Sequence, residues 1–224
     1  THELLGRWKV LLAYEEKNYA YIEKIANQWL KKIQKQAKLV NASIYFDISK
    51  FYIRGLYKGF NNALNSYKLI FLIRDPLLNM KSYINRNKNF FLDNSAPYAK
   101  NNILNLKSDL NKKELYLWSW CETFLRYKKI SLSKKVKKSL VLNTSDLDNS
   151  KKIEKVFDYL EIKYKPIKKI NKLNTNVKAG NFTTKVYNKD LELLKNFILK
   201  LPKNHKSLLD ALNHSISINE KKIS

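Results

Sequence analysis

The stretch Phe71-Leu72-Ile73-Arg74-Asp75-Pro76-Leu77-Leu78-Asn79-Met80-Lys81-Ser82 decides how this chain is read. The apolar run at residues 69–73 has the length of a core strand. It stops at an arginine, an aspartate suited to cap a helix and a proline suited to start one. A strand that turns directly into a helix places Arg74 at the strand's carboxyl end, the edge where open α/β sheets bind ligands. Arginine's planar fork of donors matches the oxygens of a phosphate or sulfate. With Asp75 as the N-cap, Ser82 falls seven residues into the helix on nearly the same face. The rise between them is roughly 10 Å, which an extended arginine and an anion can span together. The corner reads as an anion site, against the plainer reading of a surface arginine at an ordinary turn.

Outward from that corner, strands and helices alternate. Residues 4–12 read as a buried helix, and residues 19–39, with Ile22, Ile25, Trp29, Ile33 and Ala37 at helical spacing, as a long amphipathic one. Residues 42–46 alternate and are rich in β-formers, so a short strand is expected there, ending at Asp47. Helix is expected at 51–64, strand at 69–73, and a polar loop at 85–108 long enough to cover a substrate. Helix follows at 112–130, a third strand at 139–142 and a helix at 148–160 capped by Asn149 or Ser150. After an irregular stretch to Tyr187, helices are expected at 191–201 and 206–212. The alternation implies an α/β fold with a parallel sheet and right-handed crossovers. No internal repeat and no second domain stand out, so one domain over residues 1–224 is expected.

Composition narrows the function classes. With 44% apolar residues, 14 Tyr, 10 Phe and 4 Trp, the chain can bury a sizeable core. No apolar run is long enough to cross a bilayer and no leader pattern opens the sequence, so a cytoplasmic protein is expected. The lone Cys121 rules out an internal disulfide and a multi-cysteine metal centre, and three scattered histidines offer no ligand spacing. The formal charge of +25 would attract nucleic acid, acidic membrane or sulfated glycan. Only five of the 44 basic residues are arginines, however, at 7, 54, 74, 86 and 126. The lysines are spread through a chain equally heavy in Asn, Ile and Tyr, the bias that an A- and T-rich coding sequence produces. Scarcity makes an arginine at a strand end the more telling. No zinc spacing, basic heptad helix or aromatic sheet motif supports a specific nucleic-acid binder.

Residues 69–83 resemble the 3'-phosphate motif of the sulfotransferase family: an apolar strand, an arginine, an acidic or amide residue, a proline, and a serine eight positions after the arginine. Further stretches are similar in order. Residues 139–147 resemble the family's strand followed by Tyr-Glu-Asp-Leu, with Thr144 and Ser145 in place of Tyr and Glu. Residues 156–162 resemble a helix ending in Phe-Leu-Gly, with Glu161 in place of the glycine. Residues 45–50 resemble a segment near the acceptor, and residues 178–182 a late basic loop over the cofactor.

The resemblance implies a P-loop nucleotide hydrolase-like fold, a three-layer parallel sheet flanked by helices, and transfer of a sulfuryl group from 3'-phosphoadenosine 5'-phosphosulfate (PAPS) to a hydroxyl or amine. It implies Arg74 and Ser82 as cofactor-binding residues, with Thr1 and Lys178 as weaker candidates, and Lys50 near the substrate. The acceptor stays open, carbohydrate included, and His2, Glu3, Glu16 and Lys50 are candidates for the base by position only. The family's first strand and glycine-rich phosphosulfate loop have no counterpart among Gly6, Gly55, Gly59 and Gly180, so an N-terminally incomplete chain is expected. The competing readings are a basic nucleic-acid-binding protein, a nucleotide kinase of related fold and an inactive remnant.

Overall fold

The computed structural model describes residues 9–49, 51–86, 96–107, 109–165 and 185–223. In chain order these form α1 (Lys9–Glu15), α2 (Tyr19–Leu39), a π-turn (Tyr52–Leu56), α3 (Tyr57–Ala63), β1 (Tyr67–Ile73), α4 (Pro76–Asn85), α5 (Lys112–Ser131), β2 (Val136–Asn143), a 3-10 turn (Thr144–Asp148), α6 (Ser150–Leu160), α7 (Asn188–Leu199) and α8 (Lys206–Ile223). The class is α/β and mostly helical, with one small parallel sheet in the order β1-β2 among the described residues. Two compact units emerge. One is drawn from Thr1–Tyr67, Phe91–Lys107 and Glu122–Lys137, the other from Lys68–Phe90, Ser108–Cys121 and Lys138–Ser224.

In the first unit α2 has the expected bounds, starts on an Asn18 cap that accepts from the Tyr21 N–H, and buries Ile22, Ile25, Ala26, Trp29 and Ile33. The strand expected at 42–46 is a correction. These residues are exposed and make no ladder, because an alternating pattern gives a strand its faces but not its partner. The helix expected over 51–64 is broken in two by Gly55, whose φ of +143° lies outside helical space. Gly59 permits a close crossing of α2 and α3. A Cβ there would lie 2.6 Å from the Ile22 carbonyl oxygen and 2.7 Å from the Ala26 Cβ.

A buried ion pair fastens residues 96–107 to α5. The Arg126 Nε donates to Glu122 at 2.6 Å, and Nη2 donates to Asn102 at 3.0 Å. The Glu122 carboxylate also accepts the N–H groups of Ile103 and Leu104, at 3.1 and 2.8 Å. Arg126 lies over the Tyr14 ring, whose hydroxyl meets that of Tyr57 at 3.3 Å. The described part of the long loop is thus pinned, while residues 87–95 and 108 lie outside the described residues.

In the second unit β1 is a correction to the core strand its apolar run suggested: it is half-buried and Leu72 is 48% exposed, because among the described residues only β2 pairs with it. The Tyr159 hydroxyl donates to the Leu69 carbonyl, and Lys68 donates to the Leu160 carbonyl, which ties α6 to β1. Glu161 ends α6 in the left-handed conformation usually given to glycine, and its carboxylate bridges Lys68 and Lys138. The last helix runs to Ile223, well past the expected end at residue 212.

Two stability outcomes follow from this packing. Gly59→Ala should cost about 1–3 kcal/mol in a urea melt, because the clash at the crossing is with backbone. Unchanged stability would mean that the helices do not approach this closely. Arg126→Ala should cost about 3–5 kcal/mol, since Glu122 is left buried and unpaired. A loss below about 1 kcal/mol would contradict the buried pair.

Candidate functional site

The corner after β1 forms as its residues dictate. Asp75 caps α4 by accepting the Leu78 N–H at 2.9 Å, and Pro76 takes the first helical position, where its missing donor costs nothing. Two distant elements brace the turn. The Trp120 Nε1 of α5 donates to the Arg74 carbonyl at 2.7 Å. From α8, the Ser215 hydroxyl and the Asn219 amide donate to the second oxygen of Asp75, at 2.5 and 3.0 Å. Ser215 and Asn219 are both buried, one helical turn apart on the same face, and Asn219 also donates to the Ser215 carbonyl at 2.8 Å.

These bonds decide the electrostatics. Both oxygens of Asp75 are taken by neutral donors, so the residue next in sequence to Arg74 does not bind its guanidinium. Among the described residues, the Arg74 guanidinium and the Ser82 hydroxyl make no hydrogen bond or ion pair. Burial holds the Arg74 pKa below its ordinary value, and the charge of Arg86 pushes the same way against a smaller opposing pull from Asp75. The Arg74 guanidinium is thus half-buried, with a like charge from Arg86 acting on it and no carboxylate bonded to it among the described residues.

Arg86 is the residue that sequence reasoning missed. It follows α4 directly, its Nε donates to the Ser82 carbonyl at 2.9 Å, and its guanidinium lies 5.2 Å from the Tyr83 ring centre. Tyr83 in turn stacks on Tyr116, with centroids 5.3 Å apart. The available signal was spacing, because Arg86 stands four residues after Ser82 in a chain short of arginine. The neighbouring Lys81 is not a free cation. It pairs with Asp190 at 2.8 Å and lies 4.6 Å from the Tyr187 ring centre.

Thr1, His2, Glu3, Lys50 and Lys178 lie outside the described residues, as does the basic loop expected at 178–182. Glu16 is exposed in the turn after α1. Asp146, in the segment after β2, is a capping residue whose carboxylate accepts the Asn143 N–H at 3.2 Å and binds Lys152. No group of three or more metal-ligating side chains gathers among the described residues. No protein-family model matches the chain, and no curated protein or solved structure matches it either.

The capping role of Asp146 has a pH signature. Its hydrogen bond to Lys152, chiefly, lowers its pKa from the ordinary 3.8. The charged form is therefore favoured by folding, and its stabilisation is complete above the ordinary value and fades as the pH falls through the lowered one. Asp146→Asn should cost about 0.5–1 kcal/mol at neutral pH, allowing for solvent screening, and progressively less in strong acid. An equal gap between parent and variant at both pH values would contradict this role.

Proposed function

We propose that this chain is a PAPS-dependent sulfotransferase with a three-layer, P-loop-like parallel sheet, acting on a hydroxyl or amine acceptor. The observation that carries the reading is the Arg74 guanidinium at the end of β1, without a carboxylate partner among the described residues although an aspartate follows it in the chain. The fit of the cofactor to these residues is chemical. A 3'-phosphate is a dianion that needs a forked donor and a neutral hydroxyl, and Arg74 and Ser82 supply one of each. Arg86 adds a second positive charge beside them. When bound, PAPS would supply the sulfuryl group: the bond from sulfur to the 5'-phosphate oxygen would break as the acceptor oxygen or nitrogen bonds to sulfur, adenosine 3',5'-bisphosphate would leave, and the acceptor's proton would pass to solvent.

The chain's own contribution is positional. Sulfuryl transfer resembles phosphoryl transfer, in which alignment and charge stabilisation provide most of the acceleration. Trp120 fixes the Arg74 backbone, and Ser215 and Asn219 fix Asp75, so the cation is presented with little reorganisation. A guanidinium held in this way discriminates between adenine nucleotides that carry a 3'-phosphate and those that do not.

Calorimetry with adenosine 3',5'-bisphosphate tests the reading. Arg74→Ala should weaken binding by about thirtyfold or more, the equivalent of roughly 2–5 kcal/mol. Ser82→Ala should weaken it by about tenfold, as for a lost hydrogen bond to a charged group. Binding by Arg74→Ala equal to that of the parent would overturn the assignment.

A further inference from the structure

We propose that the outer face of α2, with Leu39 at its end, and the irregular segment after it, residues 40–48, form a docking face for an anionic phospholipid surface. One side of α2 is committed to the first unit, and the other carries Lys24, Lys31, Lys32, Lys35 and Lys38, all exposed. None of these lysines makes an ion pair among the described residues. Glu23 is the helix's one acidic residue, and its carboxylate accepts a hydrogen bond from Asn62. Among the described residues the face is therefore a stripe of positive charge without ion-pair partners.

Charge alone would suit any polyanion, but the segment that follows is selective. Leu39, Val40, Ile44, Tyr45, Phe46 and Ile48 are 76%, 73%, 53%, 51%, 56% and 87% exposed. Apolar side chains gathered in this way mark an interaction surface. A nucleic acid would engage the lysines and leave the aliphatic side chains in water. A second copy would bring the same lysines against themselves in a chain of net charge +25. A bilayer rich in anionic lipid satisfies both halves, with lysine heads at the phosphates and apolar side chains below them. Tyr45 suits the boundary itself, with an apolar ring and a polar hydroxyl. An open hollow of about 480 Å³ lined by Gln34, Ala37, Lys38, Asn41 and Ala42 offers room for a headgroup. Residues 43–49 have no backbone ladder, so docking is at headgroup depth, where their N–H groups still reach water.

Co-sedimentation of the full chain with vesicles tests this. Binding is expected to vesicles containing phosphatidylserine and not to phosphatidylcholine alone, and to weaken as salt rises. Lys31→Gln and Lys35→Gln should each lower partitioning about fivefold. Phe46→Ser with Ile48→Ser should lower it at least as much as one lysine change while leaving the melting curve intact, because both side chains are exposed. Equal binding to both vesicle types would overturn the proposal. So would an apolar double variant that binds as well as the parent, since that outcome describes a purely electrostatic surface open to RNA. Concentration-dependent dimers that the apolar double variant abolishes, without any vesicle binding, would assign the face to a second copy instead.

Discussion

At the corner after β1 the Asp75 carboxylate is bonded by the Leu78 N–H, Ser215 and Asn219, and not by the guanidinium of Arg74 that precedes it. The rest of the functional account depends on that diversion. Had Asp75 closed onto Arg74, the pair would be a half-exposed salt bridge of small energetic consequence. Held as it is, the aspartate joins the strand-to-helix corner to a C-terminal helix and leaves one guanidinium available. The same three bonds therefore serve packing and charge placement together.

The corner itself was legible in the sequence, since each step has a local cause. The five apolar residues 69–73 lie within the seven-residue β1, Asp75 caps, Pro76 starts the helix, and these outcomes need only neighbouring residues. The same holds for α2, whose apolar spacing gave both ends. What could not be read was whatever depends on distant partners. Ser215 and Asn219 stand 140 and 144 positions from Asp75, and nothing in their local sequence marks them as its hydrogen-bond donors. Residues 42–46 have the alternation of a strand but no neighbour to pair with. Gly55 sits in a segment with helical composition, and neither its positive φ nor the approach of Tyr14, whose Cβ would lie 2.8 Å from a Cβ placed there, is marked in the local sequence.

The two units also illustrate how differently charge is treated across one chain. Arg126 and Glu122 are buried together with their hydrogen-bonding groups engaged, which makes them a brace. Glu161 holds two lysines across adjacent strands at the surface. Arg74 and Arg86, and separately the lysines of α2, lack such partners among the described residues. In a strongly basic chain an unpaired cation is common. At the corner after β1 the Arg74 carbonyl and the Asp75 carboxylate are each held by side chains from distant helices.

The most direct measurement is the arginine side-chain Nε–Hε spectrum of the labelled protein, with the Arg74 peak assigned by its loss in Arg74→Lys. Titration with adenosine 3',5'-bisphosphate should shift the peak to saturation, and adenosine 5'-monophosphate at the same concentrations should leave it in place. A peak that the bisphosphate does not move, or that both nucleotides move equally, would contradict the claim that this guanidinium is held free for a 3'-phosphate.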